Sequence, residues 1–275
     1  MTTAFVLGGG GVLGAVEVGM VRALFERDIT PDLVLGTSIG ALNGAMVARQ
    51  PDASVIPKLV ALWQGAASGG ADVYGDSPLR TVRRAMSTGT HLWSATPLKQ
   101  ALVDEFGDLT FEELPVRFQV CAASIERAAE HWFDSGPVVD AVVASAAVPG
   151  LLPPAKVGDE HYLDGGIVNS IPLGRAVQLG ATRVFVLQVG RIDRPLVPPK
   201  RPWEVARVSF EIARRHRFNR ELAELPSSVE AHVLPARGTS GKDDSVLGSR
   251  DFSGVQERID LTYEATLAYL EEHLS

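Results

Sequence analysis

With 275 residues, of which 45% are hydrophobic and 21% charged, the chain carries enough apolar material to bury a large core. Its 26 Lys and Arg stand against 33 Asp and Glu, a formal charge of −7 that argues against a nucleic-acid partner. The single cysteine, Cys121, excludes an intrachain disulfide framework and a multi-cysteine metal site, and makes no demand for an oxidising compartment.

The N-terminal stretch is apolar, but no positive residue precedes it and glycines and Glu17 interrupt it, so it reads as part of the fold and not as a secretory leader. Nowhere do the roughly twenty uninterrupted apolar residues of a membrane span occur, so a soluble, cytoplasmic protein is expected. Thr3 to Leu7 reads as a buried strand ending in glycines, Gly14 to Glu26 as a helix, Leu33 to Leu35 as a second strand, and the small residues after Ser38 as a second helix. This βα alternation is that of a parallel sheet covered on both faces. A helix over Val55 to Trp63 precedes a glycine-rich region. Residues Ser68 to Asp104, with the short helical pieces SPLRTVRRAM and TPLKQALVDEF, read as an insertion or lid at the rim of the sheet.

Strand character returns at Arg117 to Ala122 and at His131 to Phe133, and VVDAVVASAAV reads as a helix stopped by Pro149. HYLDGGIVNSIPL is a strand end and a tight turn, followed by a helix over Pro172 to Leu179 and a buried strand over Val184 to Val189. A long helix over Lys200 to Leu225 carries Arg207, Arg214, Arg215, Arg217 and Arg220. A last strand at His232 to Leu234 and a helix over Val255 to His273 complete the pattern, with no internal repeat. The expectation is an α/β fold, three-layer α/β/α with a mainly parallel central sheet, as one domain over 1–275.

Two glycine-rich turns carry the chemistry. The first, LGGGGVLGAVEVG, holds G-x-G-x-x-G at Gly9, Gly11 and Gly14, the pattern of a dinucleotide-binding turn. Asp32 has nearly the separation of the ribose-binding acid but stands at the start of the second strand, where a ribose does not reach. Residues without Cβ also let successive N–H groups converge on an anion, and an oxyanion formed in acyl transfer is such an anion. The second turn, Gly36, Thr37, Ser38, Ile39 and Gly40, is G-x-S-x-G between a strand and a helix, the setting of a nucleophilic serine on a strained elbow. The other reading of Ser38 is a helix N-cap. None of His91, His131, His161, His216, His232 and His273 stands in a context that marks a triad base, whereas Asp164, followed by Gly165 and Gly166, ends an apolar strand segment at a turn.

Together these motifs resemble the patatin-like phospholipases, over roughly Ala4 to Gly190 and including ASAAVPGLLPP (Ala144 to Pro154) and the NSIP after the aspartate. The resemblance implies the patatin-like version of the fold, with a motif-bearing core over about 4–190, a lid or insertion over 68–104, and C-terminal helices and a strand over 200–275. It also implies a Ser-Asp dyad of Ser38 and Asp164, an oxyanion loop of Gly9, Gly10, Gly11 and Gly14, Gly36 and Gly40 flanking the nucleophile, and Gly165 and Gly166 turning the chain after the base. The implied activity is a serine acyl hydrolase cleaving carboxylic esters of lipids and phospholipids through an acyl-enzyme, with no cofactor and no metal. The alternatives are a small-ester or thioester hydrolase with the same dyad, and a non-catalytic nucleotide- or lipid-binding protein. Two departures stand out: Leu13 occupies a position where the family usually has Arg or Lys, and Asn169 is followed by Ser170. Losing that cation removes a contact for an anionic head group or a support for the loop, which implies a preference for less charged esters or weak activity.

The implied partner is a lipid or ester substrate, with no signal for oligomeric state. Val73, Tyr74, Leu79, Met86, Leu92 and Trp93 frame an acyl groove or lid on one reading and pack an ordinary loop on the other. The basic helix rests on an anionic membrane surface on one reading. On the preferred one it is a solvated helix packing its Val205, Val208 and Ile212 face on the domain, because Glu204, Glu211, Glu221 and Glu224 mix its sign.

Overall fold

Every residue of strand β1 (Thr3–Leu7) and strand β2 (Leu33–Thr37) is buried, as happens when a sheet is covered on both faces. Successive side chains alternate between two cores. Phe5, Leu7 and Val34 enter one together with Phe185 and Leu187, while Ala4, Val6, Leu33 and Leu35 enter the other with Val184 and Val186. The computed structural model describes residues 1–68, 91–189, 192, 195–238 and 254–274.

The first core is closed by helices α1 (Ala15–Glu26), α2 (Ile39–Arg49), α3 (Ile56–Ser68), α4 (Thr96–Phe106), α5 (Val138–Ser145) and α9 (Val255–Leu274). The second lies under α7 (Leu173–Gln178) and α8 (Pro202–Ala223), with Leu173, Ala176 and Phe218 at its centre, while the short turn α6 (Gly166–Asn169) packs against α8 and β3. The fold is therefore three-layer α/β/α.

The central sheet is mainly parallel: β3 (Arg117–Ser124), β2, β1, β7 (Arg183–Leu187) and β8 (Glu230–Val233) run side by side in that order. Three antiparallel strands, β4 (Ala129–Phe133), β5 (Ala155–Val157) and β6 (Glu160–Asp164), extend it around β3. Their register determines the site. At Val120 and Cys121, β3 pairs with β2 and with β4, and at Ala122 to Ser124 with β4 and with β6. Since a strand has two edges, β2 and β6 share one of them. They approach head to head, β2 ending with Thr37 opposite Cys121 and β6 ending with Asp164 opposite Ala122.

Several expectations shift. Helix α5 stops at Ser145, ahead of Pro149, and β5 was not anticipated. Of the expected lid, Val73, Tyr74, Leu79, Met86 and the piece SPLRTVRRAM lie outside the described residues. Trp93 is buried, and the Leu92 and Trp93 N–H groups donate to the Gly150 and Leu151 carbonyls. The expected packing face of α8 is corrected: Val208 is buried, but Val205 and Ile212 are 50% and 54% exposed. The buried stripe instead runs through Val208, Arg214 and Phe218, because two of the arginines and Glu211 face inward and satisfy one another. Among the described residues, no helix is long and apolar enough to cross a membrane.

Candidate active site

The turn out of β2 places Ser38 at φ 56 and ψ −120, a left-handed conformation that costs a non-glycine residue energy and needs its surroundings to hold it. The Ser38 N–H donates to Ser145 Oγ at 2.7 Å, and the Ser145 hydroxyl donates to the Cys121 carbonyl at 2.6 Å, so the end of α5 ties the elbow to β3. Thr37 Oγ1 donates to the Asn169 carbonyl at 2.9 Å. At Gly40 a methyl group would run into the Leu7 carbonyl, so only glycine lets α2 start this close to the end of β1, and Gly36 lies against the backbone of Gly40 and Ala41. The serine-as-cap reading is corrected by the same geometry. The Ser38 backbone carbonyl accepts from Ala41, but its side chain makes no capping hydrogen bond.

That side chain points at Asp164. Ser38 Oγ donates to Asp164 Oδ2 at 2.5 Å, and the Gly166 N–H donates to Oδ1 at 2.7 Å. Gly165 sits on the Cys121 carbonyl and turns the chain so that the carboxylate faces back along the edge of β3. Asp164 is 2% exposed. Burial raises its carboxyl from 3.8 to about 6, against the opposing pull of the Ser38 and Gly166 hydrogen bonds. A base of that strength is ionised at neutral pH and still able to hold a proton.

The glycine loop leads from the end of β1 across this pair. A Cβ built on Gly9 would lie 3.2 Å from Ser170 Oγ and 3.4 Å from Ser38 Cβ, so Gly9 is the loop residue against the serine. Its own N–H donates to the Ser170 carbonyl at 3.0 Å, and that of Gly8 to the Leu187 carbonyl at 2.9 Å. Among the described residues the N–H groups of Gly10 and Gly11 have no hydrogen-bond partner, and Gly11 is exposed. Gly10 itself abuts the Val189 side chain, where a Cβ would overlap it. Gly14 sits at the foot of α1 against Ile39 and Trp63, its carbonyl accepting from Asn43 Nδ2 at 3.0 Å. Leu13 is buried in the first core.

Several residues at the site carry no local signal. Asn43 Nδ2 also donates to Glu17 Oε2 at 2.8 Å, and Trp63 Nε1 donates to Asn43 Oδ1 at 3.2 Å. Burial holds the Glu17 carboxyl well above the usual range, opposed by the Asn43 hydrogen bond. Ser145 lies in the segment ASAAVPG, but nothing in that string marks its hydroxyl as a prop. Arg214, on α8, donates from Nη1 to the Gly9 carbonyl at 3.4 Å. Asp32, the candidate ribose ligand, instead accepts from the Thr3 N–H at 2.8 Å. It lies at the opposite end of a five-residue strand from the loop, about 15 Å away.

Residues 5–177 match the profile of the family described as patatin-like phospholipase. Over 202 residues the chain is 32% identical to lysophospholipase nte1 of Aspergillus terreus, an alignment that takes in 70% of this chain and 12% of that protein. A patatin-like phospholipase domain-containing protein of Caenorhabditis elegans is 35% identical over 190 residues, 68% of this chain and 14% of its own length. Among solved structures, VipD from Legionella pneumophila is similar over 99% of this chain and 67% of that one, with a TM-score of 0.48 and 14% identity.

Proposed function

Because this chain belongs to the patatin-like phospholipase family, we propose that it is a serine acyl hydrolase that cleaves carboxylic ester bonds of lipids or phospholipids through an acyl-enzyme on Ser38. The observation that carries this reading is the buried 2.5 Å hydrogen bond from Ser38 Oγ to Asp164 Oδ2. Asp164 takes the hydroxyl proton as Oγ bonds to the ester carbonyl carbon, and the carbonyl oxygen becomes an oxyanion. The unpartnered Gly10 and Gly11 N–H groups are the donors for that oxyanion. Collapse of the intermediate breaks the bond to the alcohol, which leaves with the proton from Asp164. Water then repeats both transfers on the acyl-serine.

The elbow serves this scheme by fixing Oγ: the Ser38 backbone is held by Ser145, so the side chain needs little reorganisation before attack. Contact with a lipid surface belongs to the same proposal. Val205 and Ile212, seven residues apart and so on one face of α8, stand exposed. A cytoplasmic protein that meets its substrate at such a surface is the cellular setting we propose.

The test is hydrolysis of chromogenic esters over a range of acyl lengths, with Ser38→Ala and Asp164→Asn variants of matched folding. Each substitution is expected to lower kcat by at least about a thousandfold, and a serine-directed phosphonate is expected to label Ser38 alone. Activity that rises with acyl length supports a lipid substrate; activity confined to short chains moves the substrate to small esters. Full activity in Asp164→Asn would remove the aspartate from the mechanism.

A further inference from the structure

Arg214 is an unusual residue to find on the inner face of a helix. Its side chain is 4% exposed, and a guanidinium so placed costs desolvation free energy that its partners must offset. Nη2 donates to Glu211 Oε2 at 3.0 Å, one turn back on the same helix. The remaining reach of the side chain is spent on a backbone carbonyl far away in sequence: Nη1 donates to Gly9 O at 3.4 Å. Nε has no hydrogen-bond partner among the described residues.

The carbonyl it holds belongs to the Gly9–Gly10 peptide, the one that lies against the nucleophile. In a trans peptide the C=O and N–H point in opposite directions, so a bond that fixes Gly9 O towards α8 fixes the Gly10 N–H away from α8. That N–H has no hydrogen-bond partner among the described residues. A peptide between two glycines meets little steric resistance to turning over. Turned over, it would aim a carbonyl oxygen where the N–H had been, and repel an oxyanion. The Ser170 carbonyl holds Gly9 from its N–H side at 3.0 Å, but that bond restrains the preceding peptide and not this one. Within the loop the nearest candidate for a local cation, position 13, is a buried leucine.

We infer that Arg214 is a positioning residue, which locks the Gly9–Gly10 peptide in the orientation that offers the Gly10 N–H to the substrate oxyanion. The inference rests on the acyl-hydrolase reading above. It gives α8, beyond the family-matched region of residues 5–177, a part in the reaction without contact with the reacting atoms. The cation also polarises the peptide it binds, which strengthens the N–H on the far side as a donor.

The experiment compares wild type, Arg214→Met and Arg214→Lys on a matched pair of substrates, an ester and its thionoester, in which sulfur replaces the carbonyl oxygen. Methionine keeps much of the apolar stem and removes the fork. Arg215 still pairs with Glu211 at 3.2 Å, so no bare carboxylate is created. Arg214→Met is expected to lower kcat for the ester by about 10- to 100-fold with KM changed less than about threefold. The preference for ester over thionoester is expected to fall by about tenfold, since sulfur profits less from the lost donor. Arg214→Lys, which keeps the charge, is expected to recover part of both. Unchanged kcat and unchanged preference in Arg214→Met would overturn the inference. So would a loss of kcat that tracks a lowered Tm with the preference intact, because that is the signature of packing alone. A wild type that neither turns over ester nor takes the phosphonate would instead fail the reading on which this one rests, whereas an active wild type indifferent to Arg214 fails this one only.

Discussion

Asp164 illustrates what burial does to a single carboxyl group. Its folded pKa of about 6 stands above the unfolded value near 3.8, so between those values the native state binds the extra proton. Stability from this group is therefore fully present below about pH 4 and is lost as pH rises through 6, a loss of about 3 kcal/mol by neutrality. Two outcomes follow from the same sign. In a pH series, kcat/KM is expected to fall tenfold per unit below about pH 6 as the base takes up its proton. In chemical denaturation, Asp164→Asn is expected to gain stability relative to wild type between pH 4 and 7, because asparagine has no charge to desolvate. A stability difference that stays flat across that range would show that the aspartate is not desolvated. The aspartate was legible in sequence because Gly165 and Gly166 mark the turn it ends on. Ser145 was not, since a serine in a small-residue helix looks the same whether its hydroxyl faces solvent or holds the Ser38 N–H.

At the scale of elements, the strands and first helices were legible because their signals are local. Apolar runs end in glycines, and the G-x-S-x-G spacing needs the sharp turn that Ser38 makes at φ 56. The closeness of α2 to β1 makes that turn brittle: in Gly40→Ala the added methyl meets the Leu7 backbone, which cannot swing away as a side chain could. This substitution is expected to cost about 1–3 kcal/mol in urea denaturation and to displace Ser38 enough to slow turnover at least tenfold. On helix α8 the pattern and the structure differ for an equally physical reason. Pattern reading puts Val205 and Ile212 inside and arginines outside, whereas here the inward groups are Arg214, Arg215 and Glu211, which pair with one another, Arg214 also reaching a carbonyl 205 positions away. No window of sequence contains that carbonyl.

The whole molecule is two unequal cores on one sheet. The second is the smaller, and Phe218, 2% exposed, is the aromatic side chain by which α8 enters it. Truncating it is expected to cost about 3–5 kcal/mol. Since the same helix carries Arg214, Phe218→Ala is also expected to lower kcat under conditions where the protein is still folded. Calorimetry and turnover measured on one preparation check both, and a destabilised variant with wild-type kcat would uncouple the helix from the site. The three-layer plan was legible from βα alternation. The antiparallel strands around β3 were less so, because β5 is only three residues long and β6 declares its direction only through its register.

That register has a consequence for the order in which the protein comes into being. Ser38 and Asp164, the proposed nucleophile and base, meet end to end on β3 but lie 126 positions apart along the chain. At a synthesis rate of roughly 5–20 residues per second, Ser38 emerges on the order of ten seconds before Asp164, and Arg214 follows later still. A nascent chain therefore carries its serine unarmed. On the proposed mechanism, reactivity arrives only once β6 has come to rest against β3, so 126 positions of synthesis separate the making of the serine from its arming.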